Sequence, residues 1–348
     1  SLTINTSNTS CSGTVQISSN NFSSCIQISS SSMSTNSENI FSIDLPDDLT
    51  HSTTYKVKLS TGIKDKAGNT LGSQFETSNG FTTSGIFVVG NRSQSIFTSY
   101  DNATKIWKRR RYVSGNDIYN INYANNLYVA VGNSGFILTS TDLNSWTIRN
   151  SGTTKNLNKS TYGNGKFVIV GNDGTVVTST DGANWTVQVQ ASLLHMTDII
   201  FVNNTFYATL WDGGITKSTD GISWSTNDIS FVGWNFMNDF YAIAYGNGKL
   251  VAVGADGTVA YSSDGSTWNI ARRTIGGDYM YGLRYLNNTF VAVGRNNYIY
   301  TSSDGVSWNY RYGYQDYNSL YDVAYGNGVF AIVSPNGYMM ISTDGISW

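Results

Sequence analysis

The chain has 348 residues, 23 acidic and 21 basic, for a formal net charge of −2. That near-neutrality gives no electrostatic ground for a nucleic-acid or anionic-lipid partner, and no apolar run approaches the ~20 residues of a membrane span. Forty percent hydrophobic residues supply a core, and the length allows two domains.

Cys11 and Cys25 are the only cysteines and sit in one Ser/Asn-rich stretch. Bridged, they close a loop of about 15 residues, worth roughly 3 kcal/mol in the chain-entropy model. Two free buried thiols are the other reading. A small domain with few large apolar residues needs such a staple, so a disulfide and an oxidising compartment are expected. Alternating strand patterns follow at 14–18, 40–43 and 55–59, separated by turn residues. Residues 1–84 hold no Trp and no repeat, and read as a small β-sandwich domain.

From residue 85 to 348 the chain repeats. Ser-x-Asp-x-x-x-Trp occurs at Ser140–Trp146, Ser179–Trp185, Ser218–Trp224, Ser262–Trp268, Ser302–Trp308 and Ser342–Trp348, with a worn copy at Ser99, Asp101 and Trp107. The box aspartates are Asp101, Asp142, Asp181, Asp220, Asp264, Asp304 and Asp344, at gaps of 41, 39, 39, 44, 40 and 40. A period near 40 with four short strands per unit is that of a propeller blade, and seven copies predict seven blades. An aromatic lies 19 residues before the box Asp in six copies: Tyr123, Tyr162, Phe201, Tyr245, Tyr285 and Tyr325. Each marks strand A, followed by an Asn-Gly or Asn-Asn hairpin into strand B. The first blade begins at strand B and the last stops before strand D. The expectation is that the protein continues past Trp348, with the two absent strands closing the ring.

The predicted class is therefore all-β: a small β-sandwich followed by a seven-bladed propeller. Leu49–Tyr55, the Asp65-x-Ala67-Gly68-Asn69 turn and the closing Phe81-Thr82-Thr83 resemble the bacterial Ig-like domain of S-layer and surface proteins. An earlier strand usual in that family is missing, so the sandwich is expected to be incomplete. The repeated box resembles the Asp-box, or BNR repeat, of sialidases and of the propeller-type photosystem II assembly factor. That resemblance implies a structural role, with Ser and Asp bonding backbone N–H groups of a turn, Gly taking positive φ and the six tryptophans buried between blades. Seven copies of a catalytic carboxylate are not plausible, so the box aspartates are read as structural.

Sialidases need an arginine triad and a Glu-activated Tyr nucleophile. The repeat region has no glutamate, since Glu38 and Glu76 both precede it. Arg92, Arg284 and Arg295 read as scattered surface arginines, and Asp117, Asp198, Asp239, Asp278, Asp316 and Asp322 as turn and cap residues before strand A. A glycosidase built on paired aspartates is the remaining enzymatic alternative. His51 and His195 stand alone, so no zinc site is expected; no calcium loop, P-loop or dinucleotide motif occurs, and no cofactor is implied. The basic run Lys108–Arg111 reads as a solvated edge strand.

The D-to-A loops are rich in Tyr, Trp and Phe, which offer contact area with a polar tip. A ligand face is expected there, anchored by Trp234, Tyr279, Tyr281, Tyr312 and Tyr314, with Arg92 and Arg295 from neighbouring loops. The competing reading tucks these rings between blades. The function expected is a non-enzymatic surface protein, adhesin-like or scaffolding, that binds a protein or glycan as a monomer, with a lipid anchor upstream and an extracytoplasmic location at the bacterial cell surface or outer membrane, or in the periplasm. Resemblance to surface lipoproteins carries this; a glycan hydrolase and an envelope-complex assembly factor are the alternatives.

Overall fold

The computed structural model describes residues 10–27, 33–37, 40–43, 53–61, 63, 70, 72–79, 81–82, 87–90, 95–99, 108–112, 115–189, 195–211, 213–227, 239–271, 275, 278–313, 318–326, 328–333 and 339–348. Among these the chain is strand, turn and short 3₁₀ turn, without an α-helix. It divides into two compact units, Ser1–Ile86 and Phe87–Trp348.

In the first unit Thr54–Leu59 is the central strand. It pairs antiparallel with Val15–Ser18, Phe75–Glu76 and Phe81–Thr82. Met33–Ser37 and Ile40–Ile43 form a separate hairpin. Among the described residues of this unit Val15, Ile17, Cys25 and Tyr55 are buried. Cys11 and Cys25 are bridged, with Cα atoms 4.9 Å apart, as expected from the sequence. Reductant should lower the unfolding midpoint of this unit by an amount equivalent to roughly 3 kcal/mol and leave the transition of the second unit in place. Circular dichroism melts with and without reductant read this directly; coincident melts would remove the staple from the argument.

In the second unit the described residues form seven antiparallel sheets, five of four strands and two of three. The third repeat shows the unit: A, Leu157–Gly163; B, Lys166–Gly171; C, Thr175–Ser179; D, Thr186–Val189. The first sheet holds Phe87–Gly90, Ser95–Ser99 and the edge strand Lys108–Tyr112; the seventh holds Val323–Gly326, Val329–Val333 and Met339–Ser342. Strands A of successive sheets pack on one another, which puts them on the inside of a propeller.

The sheets meet through rings. Phe167, Phe206, Phe290 and Phe330 on strands B are at most 1% exposed. Each lies 4.6–4.8 Å from the strand A aromatic of its repeat and 6.1–6.5 Å from its box Trp. Residues of the preceding sheet complete each cluster: Val129, Val131 and Ile137 pack with Phe167, and Val251 and Val253 with Phe290. The tryptophans are less buried than expected. Trp146 is 8% exposed, while the other five box tryptophans are only half-buried, because the box hairpin ends each sheet and leaves one side of the indole uncovered.

The boxes are closed by local bonds. Ser179 Oγ donates to Asp181 Oδ1 (3.0 Å) and accepts from Gly182 N–H (2.8 Å); Asp181 Oδ1 accepts from Ala183 and Asn184 N–H, both 2.8 Å. The same bonds recur at Asp142, Asp220, Asp264, Asp304 and Asp344. N–H donors from Ser223, Ser307 and Ser347 lead in holding Asp220, Asp304 and Asp344 down to about 2. In the first of these boxes Leu143 takes the Gly place at φ +64° and is fully buried.

Candidate functional site

Strand A is bulged in five repeats. The pairing with strand B skips one residue after Ile118, Leu157, Met196, Phe240 and Met280. The skipped residues are Tyr119, Asn158, Thr197, Tyr241 and Tyr281, and Tyr321 holds the same offset in the seventh repeat. A bulge leaves its extra residue out of the ladder and re-aims its side chain. Room for it comes from strand B: a Cβ on Gly254 would lie 1.8 Å from the Asp239 carbonyl oxygen, so only glycine fits there.

One column thus serves two purposes. In the third and fourth repeats it staples neighbouring sheets: Asn158 Nδ2 donates to Met196 O (2.8 Å), and Thr197 Oγ1 to Phe240 O (2.6 Å). From the fifth to the seventh it builds a tyrosine ladder. Tyr241 lies 5.4 Å from Tyr281, and Tyr281 stacks on Tyr321 at 5.2 Å with 26° between planes. Tyr279, in the loop before strand A, lies 6.3 Å from Tyr281 at 15°, and the Arg295 guanidinium sits 5.9 Å above its ring. Tyr241 Oη donates to Asp239 Oδ2 (2.9 Å), and Asn296 Nδ2 to Asp278 Oδ2 (2.6 Å). Burial pushes the Tyr241 phenol far above its usual range, helped by the Asp239 carboxylate, and burial raises Tyr281 too. These two phenols are therefore protonated at physiological pH.

Deeper on the strands A lies a charged quartet. Arg284 donates through Nε (2.9 Å) and Nη2 (2.6 Å) to the two oxygens of Asp322. Lys159 Nζ reaches the same carboxylate at 3.1 Å, from the third repeat to the seventh. Asp198, 2% exposed, accepts N–H bonds from Ile199 (2.8 Å) and from Ile243 of the next sheet (3.1 Å). Burial raises the Asp198 carboxyl, only partly offset by Lys159 and Arg284. Burial also works on Asp322, but Arg284 and Lys159 overcome it and hold the carboxyl well below the usual range.

Tyr279, Tyr281 and Arg295 come together as a surface. Tyr312 does not join them: it ends the outer strand Asn309–Tyr312 of the sixth sheet and pairs with Ile299. Tyr310 of that strand forms a separate cluster with Tyr298 and Tyr300. Trp234, Tyr314, Arg92, Asp101, Trp107 and Asp316 lie outside the described residues. Two sequence readings need correction. Arg284 is not a scattered surface arginine but the partner of Asp322, and Asp198 lies inside strand Met196–Val202, where its carboxylate binds backbone rather than capping a turn. Tyr241 was missed, although it shares the offset of Tyr281 and Tyr321 before the strand A aromatic.

Comparison with known proteins places both units. No curated protein matches this sequence. In solved structures the chain is similar to YCF48 bound to D1 peptide (TM-score 0.58, 16% identity, covering 73% of this chain and 88% of that one). It is likewise similar to the WD40 β-propeller domain of Doa1 (0.59, 14%, 74% and 88%) and to YCF48 from Cyanidioschyzon merolae (0.54, 13%, 74% and 95%). At these identities the likeness establishes the propeller fold. Residues 2–83 match the bacterial Ig-like domain family, so the chain is a bacterial Ig-like domain followed by a β-propeller.

Proposed function

We propose that this is a non-enzymatic, extracytoplasmic interaction protein that binds a protein or glycan through the loop face of its propeller. The observation that carries the reading is the ladder of Tyr241, Tyr279, Tyr281 and Tyr321 with Arg295 above it. Aligned aromatic rings with polar tips are what binding surfaces use. The raised phenols of Tyr241 and Tyr281 and a carboxylate locked to Arg284 speak against the glycan-hydrolase alternative.

The Ig-like domain and the disulfide fit an oxidising, extracytoplasmic compartment. We place the protein at the bacterial cell surface or outer membrane, anchored by lipid and monomeric, with the periplasm as second choice. The likeness to a YCF48 structure that contains a bound peptide supports a second reading, an assembly factor for an envelope complex, which would use the same face.

The test is biolayer interferometry of the whole chain against oligosaccharide and envelope-peptide panels. Tyr281→Ala and Tyr321→Ala should each weaken the binding found by about tenfold or more. Ser266→Ala, on an exposed box hairpin at the other end of the sheets, should leave it unchanged. Binding that ignores both tyrosines would refute the assignment of the face.

A further inference from the structure

We infer that the loop face carries a second subsite, formed by Trp211 and His195 of the fourth repeat, and that the two subsites together hold one neutral oligosaccharide chain. This rests on the binding role proposed for the face.

The argument starts from a repeated backbone contact. In five repeats the residue after strand B donates its N–H to a carbonyl in the loop leading into strand A. Asn133 bonds Asp117, Asn172 bonds Asn156, Trp211 bonds His195, Ala255 bonds Asp239, and Arg295 bonds Tyr279, at 2.9–3.3 Å. The frame therefore presents one pair of side chains per repeat at an equivalent place. In the second repeat the pair is spent locally, Asn133 Oδ1 capping Asp117 N–H at 2.8 Å. In the sixth it is the Arg295–Tyr279 cation–π pair of the ladder. In the fourth it is Trp211 and His195, ring centroids 5.0 Å apart. Trp211 is 46% exposed, the one exposed tryptophan among the described residues.

The surroundings of the two plates match. Beside His195, which packs on Trp211, Asp173 is paired with Lys155 and lies 3.4 Å from the imidazole. The Asp173 N–H donates to His195 Nδ1 (3.1 Å), which leaves Nε2 as the donor of the ring. Beside Tyr279, Asp278 faces Arg295 across 4.0 Å. The imidazole partner of Trp211 thus has one carboxylate and one cation beside it, and Tyr279 has Arg295 over its ring with Asp278 facing that cation. Between them, in the fifth repeat, the pair is reduced to Asp239 and the buried Ala255, so the two plates stand apart on alternate sheets.

A pyranose fits this chemistry. It offers an apolar C–H face to an aromatic plate, and its rim of hydroxyls both donates and accepts, using carboxylate and cation together without bringing charge. A peptide would instead be anchored by side chains entering closed pockets, whereas Trp211 offers an open face. Two plates on alternate sheets call for a chain of sugars rather than a single one.

The test is calorimetric titration of the whole chain with cello-, chito- and maltohexaose and the matching disaccharides. One hexaose should bind, and its disaccharide at least about tenfold more weakly. Trp211→Ala and Tyr279→Ala should each weaken the hexaose about tenfold or more, and Trp211→Phe should restore most of the loss. Trp211 is exposed, so its variants should melt like the parent. Hexaose binding that needs Tyr281 but is unchanged in Trp211→Ala overturns the second subsite and leaves the face intact. If no hexaose binds while an envelope peptide still requires Tyr281, the sugar inference falls and the face stands. Binding indifferent to Trp211, Tyr279 and Tyr281 alike removes both.

Discussion

Phe290→Ala should destabilise the propeller unit by about 3–5 kcal/mol, the range for removing a fully buried aromatic. Phe290 is 0% exposed, lies 4.6 Å from Tyr285 and 6.4 Å from Trp308, and packs with Val251, Val253, Ala242 and Ala244 of the preceding sheet. The backbone on both sides belongs to bonded sheets, so the cavity cannot collapse without breaking a ladder. Phe290→Leu should cost much less, since Leu250 holds the same place in the fifth repeat and is itself buried. Guanidinium titration followed by tryptophan fluorescence reads both variants. A loss below about 1 kcal/mol for the alanine variant would mean that these ring stacks do not hold neighbouring sheets together.

That stack was legible in the sequence because it repeats. The Tyr/Phe column, the box and its Trp recur at fixed spacing, and a pattern seen six times overrides the ambiguity of any one strand. Two features broke the spacing logic. The bulge inserts a residue into strand A, so simple alternation misassigns everything before it; Tyr241 was passed over for this reason, and Asp198 was placed in a turn instead of a strand. Single substitutions at repeated positions are the other. Trp211 stands where other repeats have Asn133, Asn172 and Ala255, so no repeated column pointed to it.

The quartet was illegible for a different reason. Lys159, Asp198, Arg284 and Asp322 come from four repeats, and the Lys159–Asp322 contact joins residues 163 positions apart. No local pattern announces such a contact, since it exists only once the strands A have been brought round to face each other. The ladder was half visible: Tyr279 and Tyr281 could be named as aromatic loop residues, but their stacking on Tyr321 depends on the spacing of adjacent sheets.

Asp322→Asn should lower stability at neutral pH by about 1–3 kcal/mol. The range sits below that for a fully enclosed pair because the Asp322 side chain keeps 39% of its surface accessible and solvent screens it. The substitution leaves Arg284 without its bidentate partner and Lys159 without its carboxylate. The pH dependence separates this from a packing effect. The folded-state carboxyl of Asp322 is depressed, against an unfolded value of about 3.9. Its contribution is therefore complete above about pH 4 and is lost as pH falls toward the folded value, because the unfolded chain binds the proton first. Asp198 opposes it. Its folded carboxyl is raised, so its contribution is complete below the unfolded value and is lost as pH rises through the folded one. In Asp322→Asn the acid-side loss should shrink, and Asp198 should titrate lower, because the Asp322 charge that helps raise it is gone while Lys159 and Arg284 remain. Urea titrations at a series of pH values, with the Asp198 carboxyl followed by NMR, measure both. Equal stability of parent and variant at neutral pH, with parallel acid limbs, would mean that the ion pair joining the third, sixth and seventh repeats contributes nothing to holding them.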